Sequence, residues 1–176
     1  MKKIVIISSS MRQGNSDALC DEFQRGAQDA NNVVERINLR EKNIKFCTAC
    51  CDCYNIGSCT IKDDMNNLYE ILKQAEILVF ATPIYFGEIS GQLKVFIDRL
   101  YPIYQNLKVK EAYVIASCYQ NDKQFVDDSI YGIERFLEDI GNVPLKAVIY
   151  GENTDEENDI TNEQKQKAYQ LGISII

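Results

Sequence analysis

The chain has 176 residues and a formal net charge of −7, with 26 acidic side chains, 19 basic side chains and no histidine. This acidity disfavours nucleic acid as a partner, because phosphate binding needs clustered Lys and Arg. The lack of histidine excludes His-based catalysis and zinc sites that need imidazole. The apolar runs are too short to cross a membrane or to form a signal peptide. We therefore expect a cytoplasmic protein that folds as one domain over residues 1–176.

Five short apolar runs alternate with amphipathic stretches along the chain. The runs are rich in β-branched and aromatic residues, which is typical of strands in a parallel sheet. They cover residues 4–7, 33–39, 77–81, 113–116 and 143–150. Apolar side chains recur at helical spacing within 19–30, 68–75, 93–104 and 126–140; a loop is predicted at 152–163 and a last helix at 163–171. This alternation predicts an α/β fold, a flavodoxin-like doubly wound three-layer sandwich with five parallel strands in the order 2-1-3-4-5.

The loops that follow the strands carry the unusual sequence. In a doubly wound sheet these loops emerge at the carboxyl edge, where ligands bind. They are residues 8–16, 40–63, 82–91 and 117–124. We therefore expect the functional site at this edge, with the segment 40–63 as a cysteine-rich insertion that lacks clear secondary structure.

The first loop, SSSMRQGNS at residues 8–16, follows a buried strand and opens a helix. Hydroxyls, backbone N–H groups and a helix N-terminus together favour an anion. The loop has neither the lysine of a Walker A motif nor the pattern G-x-G-x-x-G, which disfavours a nucleoside triphosphatase and a dinucleotide-binding domain. The alternative is an ordinary Ser/Asn turn that caps the helix.

The third loop, at 82–91, places two aromatic residues, a proline and a glycine at the end of the central strand. A planar, mostly apolar ligand would use aromatic faces for packing and Gly87 where backbone must approach a ring. The alternative is a hydrophobic turn before a helix. The fourth loop, SCYQN at 117–121, fits a polar connector as well as it fits a part of the site.

The second loop contains five cysteines. Four of them, Cys47, Cys50, Cys53 and Cys59, are separated by two, two and five residues. The fifth, Cys51, lies outside this spacing. Clustered cysteines in a reducing compartment indicate metal or redox chemistry more than disulfides. The x2 spacing resembles the run that holds a [4Fe–4S] cluster in bacterial ferredoxins, whereas structural zinc more often uses two separated pairs. A cluster would tie down this long loop, and reduced free thiols are the alternative.

Two of these segments resemble the flavodoxin-like NAD(P)H-dependent FMN reductase family. The stretch ATPIYFGEISGQLKVFIDRL at 81–100 is very similar to that family's S-P-x-Y-[FW]-G-x-[IM]-x-[AG]-x-[LM]-K-x-[FL]-[IL]-D-R segment. Residues 8–16 are similar to its phosphate loop G-S-P-R-x-x-G-N-[ST]. Here Ser8, Ser10 and Met11 replace Gly, Pro and Arg, and Arg12 follows one position later. The resemblance covers residues 3 to about 150.

The resemblance implies a bound FMN, with its phosphate in the first loop and its isoalloxazine ring against the third and fourth loops. The residues implied in FMN binding are Ser9, Ser10, Arg12, Gly14, Asn15, Ser16, Pro83, Ile84, Tyr85, Phe86, Gly87, Ser117, Cys118 and Tyr119. Backbone N–H groups of 85–87 are expected near the reactive edge of the ring. Tyr85 and Tyr119 are the side-chain candidates for proton transfer, with solvent as the alternative. The family also implies a homo-oligomer, a dimer or a tetramer.

Residues 44–65 resemble the compact cysteine motif of the iron–sulfur flavoproteins, a branch of this family in which a [4Fe–4S] cluster passes electrons to FMN. The cluster ligands would be Cys47, Cys50, Cys53 and Cys59. We predict an FMN-dependent oxidoreductase with a ferredoxin-like electron donor and a small-molecule acceptor. Without the cluster, the expected donor is NAD(P)H and the acceptor a flavin or quinone. A non-enzymatic electron-carrier flavoprotein is the alternative of another class.

Overall fold

Strands and helices alternate along the chain in the computed structural model, which describes residues 1–157 and 159–176. The elements are β1 (Lys3–Ser8), α1 (Asn15–Asp29), β2 (Val33–Asn38), α2 (Asp52–Ile56), α3 (Met65–Lys73), β3 (Ile77–Tyr85), β4 (Glu88–Ile89), α4 (Gly91–Asp98), β5 (Glu111–Ser117), α5 (Lys123–Ser129), α6 (Tyr131–Asp139), β6 (Leu145–Gly151) and α7 (Asn162–Ile173). One residue of the loop predicted at 152–163, residue 158, lies outside the described residues. Among the described residues, no helix is long and apolar enough to cross a membrane.

Five parallel strands form the sheet in the order β2-β1-β3-β5-β6. Because β5 and β6 are the fourth and fifth predicted strands, this order confirms the predicted flavodoxin-like arrangement. The side chains of β1 are buried on both faces of the sheet. Val5 and Ile7 pack with α3, α4, α5 and α6 on one face, whereas Ile4 and Ile6 pack with α1 and α7 on the other. The result is the expected three-layer sandwich.

The structure differs from the sequence-based prediction at four places. The helix predicted at 93–104 ends at Asp98. Strand β3 continues to Tyr85 and pairs with the two-residue antiparallel strand β4, where a loop was expected from residue 82. The predicted helix at 126–140 is two helices, α5 and α6, which meet at Ile130. The cysteine segment contains the short helix α2, where no secondary structure was expected.

Helices α1 and α7 approach each other closely at two glycines. A Cβ atom on Gly172 would lie 2.2 Å from the carbonyl oxygen of Phe23 and 2.8 Å from the Ala27 nitrogen. A Cβ atom on Gly26 would lie 2.2 Å from the carbonyl oxygen of Tyr169. Real Cβ atoms do not come this close to backbone, so both positions require glycine at this helix spacing. Through this contact α7 holds the helix that opens at the first loop.

We expect the substitution Gly172→Ala to lower the free energy of unfolding by about 1–3 kcal/mol, because the added methyl group must displace backbone of α1. A matched control is Gly132→Ala in α6, where a Cβ atom would meet nothing within 4 Å. That change should raise stability by up to about 1 kcal/mol, since alanine is the better helix former. Denaturant unfolding of the two variants measures both effects. Equal effects of the two substitutions would contradict the close contact.

Candidate functional site

A cavity of about 200 Å³ opens at the carboxyl edge of the sheet. We call it the edge cavity. Its walls come from the ends of β3 and β5 and from the segments that follow β1, β5 and β6. Most of the residues implied in cofactor binding lie on these walls: Ser10, Arg12, Asn15, Ser16, Pro83, Ile84, Tyr85, Ser117, Cys118 and Tyr119. The fold therefore brings three predicted loops together at one place.

One end of the edge cavity is suited to an anion. Helix α1 begins here with Gly14 at its N-cap, and no side chain of the described residues caps it. Its first N–H groups keep hydrogen-bonding capacity, and the helix dipole favours negative charge. Ser16 Oγ shares a hydrogen bond of 2.7 Å with Ser117 Oγ, and the exposed Arg12 supplies a cation beside them. A phosphate group fits this set of donors.

Asn15 adds a specific acceptor to the edge cavity. Its Nδ2 donates to the carbonyl oxygen of Glu156 at 2.8 Å. Its Oδ1 is buried and has no hydrogen-bond partner within the described part of the chain. Buried polar atoms are normally satisfied, so this oxygen indicates a missing donor, such as a hydroxyl group of a ligand.

A tight turn borders the other end of the edge cavity. Phe86 and Gly87 join β3 to β4 with φ angles of +54° and +75°. Positive φ at both central residues is the signature of a type I′ hairpin turn. Phe86 is fully exposed, and a bulky residue rarely adopts such a φ. Neither turn residue lines the cavity, although the adjacent Tyr85 does.

Ser9 is buried and does not line the edge cavity. Its Oγ donates to the carbonyl oxygen of Ala81 at 3.0 Å and accepts from Ser90 Oγ at 2.8 Å. The Ser90 N–H in turn donates to Thr82 Oγ1 at 3.0 Å. These buried hydroxyl groups tie the first loop to the end of β3. The structure therefore gives Ser9 a role in the shape of the loop.

Sequence reasoning missed the ionic support beneath the first loop. Asp17, in the first turn of α1, is buried and accepts from Ser8 Oγ at 2.8 Å. It also forms ion pairs with Arg36 and Arg40. An acidic residue at a helix start is common for helix stability alone, so the sequence carried no signal that Asp17 pairs with the end of β2.

Two residues of the edge cavity, Thr154 and Asp155, come from the segment after β6 and were also missed. The Thr154 N–H and Oγ1 donate to the carbonyl oxygen of Cys118 at 3.0 Å and 2.9 Å. These bonds fix the fourth loop against the end of β6. The topology itself held the signal, because the segment after the last strand emerges at the same edge as the others.

A second cavity, of about 450 Å³, is lined by all five cysteines of the second loop. We call it the cysteine cavity. Cys47, Cys50 and Cys51 are exposed, Cys53 is partly buried and Cys59 is buried. Within residues 1–157 and 159–176, no group of three or more potential ligand side chains is gathered closely enough to hold a single metal ion. The five cysteines nevertheless line one cavity, and this donor set fits an iron–sulfur cluster, which is bound by four cysteine thiolates.

We call residues 40–63 the cysteine loop. The chain segments at its two ends are hydrogen-bonded to each other and to the end of α4. The Asn43 N–H donates to Asp64 Oδ2 at 2.7 Å, and the Lys45 N–H donates to Asp63 Oδ2 at 2.9 Å. Asp63 also forms a bidentate ion pair with Arg99, at 2.7 Å and 3.0 Å. The two side chains of that pair are 0% and 1% exposed. A buried ion pair therefore holds together the two ends of the cysteine loop, which we call its base.

The cysteine cavity and the edge cavity share no lining residue. The cysteine cavity lies against Asp98, Arg99 and Tyr101, at the end of α4. Helix α4 starts at Gly91, after the hairpin beside the edge cavity, and its eight residues span about 12 Å. The cysteines therefore line a cavity at the end of α4 that is separate from the cavity lined by the other three loops.

Comparison with known sequences finds a family match and several relatives. The model of a family described as NADPH-dependent FMN reductase matches residues 1–126. An iron-sulfur flavoprotein of Archaeoglobus fulgidus is 28% identical over 176 residues, which covers 99% of this chain and 79% of that protein. The iron-sulfur flavoprotein MJ1083 of Methanocaldococcus jannaschii is 33% identical; the match covers 58% of this chain and 53% of that protein. YwqN of Bacillus subtilis, named as an NAD(P)H-dependent FMN-containing oxidoreductase, is 34% identical over 69% of each chain.

Solved structures share the fold at low sequence identity. An NAD(P)H:quinone oxidoreductase from Methanothermobacter marburgensis superimposes with a TM-score of 0.80 at 15% identity, covering 98% of this chain and 96% of that chain. An FMN-dependent NADH-azoreductase from Bacillus anthracis, solved in complex with FMN, superimposes with a TM-score of 0.68 at 17% identity, covering the same shares.

Proposed function

The chain belongs to the NADPH-dependent FMN reductase family of FMN-dependent oxidoreductases, and we propose that it binds FMN in the edge cavity and a [4Fe–4S] cluster in the cysteine cavity. The observation that carries the proposal is the gathering of the five cysteines around one cavity, in a chain whose predicted FMN loops meet at another. When bound, the two groups supply the electron transfer, and the protein binds and orients them.

The FMN phosphate is assigned to the first loop. The uncapped start of α1 and Ser16 offer hydrogen-bond donors, and Arg12 offers a compensating charge. The free Oδ1 of Asn15 is suited to a ribityl hydroxyl group. The ring is assigned to the walls made by Pro83–Tyr85 and by Ser117–Tyr119. Tyr85 and Tyr119 are exposed and remain the candidates for proton exchange with solvent.

The cluster ligands are assigned as Cys47, Cys50, Cys53 and Cys59, which leaves Cys51 on the same wall without that role. The names of several relatives support the cluster. With it, the electron donor is a ferredoxin-like protein and the acceptor a small molecule. We propose a homo-oligomer, a dimer or a tetramer, because the aromatic residues Tyr85 and Tyr119 of the edge cavity and the adjacent Phe86 are exposed. The proposed compartment is the reducing cytoplasm, where the cysteines persist as thiols.

A cluster-free reductase is the second candidate function. The name of the Bacillus subtilis relative supports NAD(P)H as the donor, and a flavin or quinone is then the acceptor. Turnover of the anaerobically prepared, FMN-loaded protein decides between the two donors. Reduction of a quinone by reduced ferredoxin, faster than by NADH or NADPH, supports the cluster-dependent function. The reverse order supports the second candidate, and no turnover with any donor supports a non-enzymatic electron carrier.

The phosphate assignment is tested by Arg12→Glu. We expect this variant to bind FMN about 100-fold more weakly, equivalent to about 2.7 kcal/mol, because it loses a charged contact and adds repulsion. Riboflavin, which has no phosphate, should bind both proteins alike. Lys108→Glu, at an exposed position in the loop before β5, changes the net charge equally and should leave FMN affinity unchanged. Isothermal titration measures the constants, and an equal loss for riboflavin and FMN would refute the assignment.

A further inference from the structure

The guanidinium of Arg99 is hydrogen-bonded at two of its three nitrogen atoms. Its Nη1 donates to Asp63 Oδ2 at 2.7 Å and to the carbonyl oxygen of Lys45 at 2.6 Å, and its Nη2 donates to Asp63 Oδ1 at 3.0 Å. Its Nε–H is buried, and no acceptor reaches it from residues 1–157 or 159–176. An unsatisfied donor of a buried charged group is costly, so the nitrogen indicates a partner that the described residues do not provide.

The surroundings of Arg99 show where that partner lies. Arg99 forms part of the wall of the cysteine cavity, whereas Asp63 does not line it. Burial opposes the charge of Arg99, but the hydrogen bonds and charge of Asp63 outweigh it, and Cys59 adds to the effect, so that the pKa of Arg99 is raised. Cys59 and Arg99 line the same cavity. Five cysteines line this cavity, and a cysteine sulfur that is deprotonated or bound in a cluster accepts hydrogen bonds.

We propose that Arg99 contacts the group held in the cysteine cavity directly, and that its Nε–H donates to an anionic sulfur of that group. This inference rests on the proposed cluster. A cluster with four thiolate ligands is an anion, and its reduction adds a further negative charge. A fixed guanidinium stabilises the reduced form more than the oxidised form, because hydrogen bonds and charge around the sulfurs set the reduction potential. Arg99 then raises the potential of the cluster and its affinity for the cavity.

A purely structural role of Arg99 predicts something different. The Asp63–Arg99 pair closes the base of the cysteine loop, so its loss lowers stability whether or not Arg99 contacts sulfur. The double variant Arg99→Gln with Asp63→Asn separates the two roles. It keeps a hydrogen-bonding pair at the base of the loop and leaves no unpaired buried charge, but it removes the guanidinium from the cavity wall. Arg135→Gln, at an exposed residue of α6, is the control.

The test is an EPR-monitored redox titration of the cluster in the FMN-loaded holoprotein. We expect the double variant to favour the oxidised cluster about tenfold at a fixed potential, which is about 59 mV for a one-electron couple. The control should match the wild type. Circular dichroism and iron content confirm that each protein is folded and loaded. An unchanged potential in a folded, loaded double variant would overturn the proposal.

A second titration keeps the test independent of the proposed function. Apoprotein is titrated with Co²⁺, and thiolate binding is followed by the cobalt–sulfur charge-transfer absorption. We expect about tenfold weaker binding in the double variant. If the wild type takes up no iron but this loss is seen, the cluster assignment fails and the role of Arg99 stands. Equal cobalt affinity, or a wild type that binds neither metal, overturns the role of Arg99.

Discussion

Cys53→Ser is expected to lose the reconstituted iron, whereas Cys51→Ser is expected to retain it. Cys53 is partly buried, and it lines the cysteine cavity together with the other three assigned ligands. Burial raises the pKa of the Cys53 thiol first, and the charges of Cys59, Cys50 and Cys47 raise it further. A serine hydroxyl is a poor substitute for the soft thiolate that iron–sulfur clusters require.

Cys51 provides a matched control on the same cavity wall. It is exposed, it lies in the same turn of chain as Cys50, and its substitution removes one sulfur without touching an assigned ligand. Both variants should bind FMN as the wild type does, because the edge cavity shares no residue with the cysteine cavity. Iron and acid-labile sulfide are measured after anaerobic reconstitution. Loss of iron in both variants, or in neither, would show that the ligand set is assigned wrongly.

Arg99→Met is expected to lower the free energy of unfolding by about 3–5 kcal/mol, the range for removal of one partner of a buried ion pair. The substitution leaves the Asp63 carboxylate buried and without its cation. It also frees the Lys45 carbonyl oxygen, so that both ends of the cysteine loop lose their contact with the end of α4. Arg135→Met removes an exposed pair with Glu138 and should cost no more than about 1 kcal/mol.

The loss of stability caused by Arg99→Met should become smaller as the pH falls. Burial alone would raise the pKa of Asp63, but hydrogen bonds from Arg99 and from the Lys45 N–H outweigh it and hold that pKa below its usual value. The stability of the pair is therefore present above pH ~4, the value for an unfolded Asp, and is lost as the pH falls through the folded pKa. The free energies of unfolding of the wild type and of Arg99→Met are measured with denaturant between about pH 7 and about pH 3. The two values should converge as the pH falls. A difference that stays constant, or one below 1 kcal/mol at pH 7, would contradict the buried pair.

The strand order and the place of the edge cavity were predictable, because they follow from local patterns. The run at 4–7 is apolar on both faces, and the structure buries it completely. Strand β3 was predicted to end at residue 81, but it continues through Pro83 to Tyr85. At Pro83 the neighbouring strand β1 has already ended, since its last pair is Ser8 with Ala81. The missing N–H of Pro83 therefore costs no hydrogen bond on that side.

The contacts that shape the cysteine cavity were not predictable from the sequence. Spacing identified the cysteines, but it does not say which helix the loop packs on. Asp63 and Arg99 are 36 residues apart and meet only because the loop folds back on the end of α4. Asp17 is a second example of a pair that the sequence did not predict. Its partners Arg36 and Arg40 lie in strand β2 and in the turn after it. Such pairs depend on tertiary packing, which local periodicity does not encode.

The most direct test of the central claim is the content of FMN, iron and acid-labile sulfide in the wild-type protein after anaerobic reconstitution. The account predicts FMN bound in equal amount to the chain, together with iron and sulfide in equal amounts that match one [4Fe–4S] cluster per chain. Bound FMN without iron or sulfide would contradict the cluster and leave the cluster-free reductase.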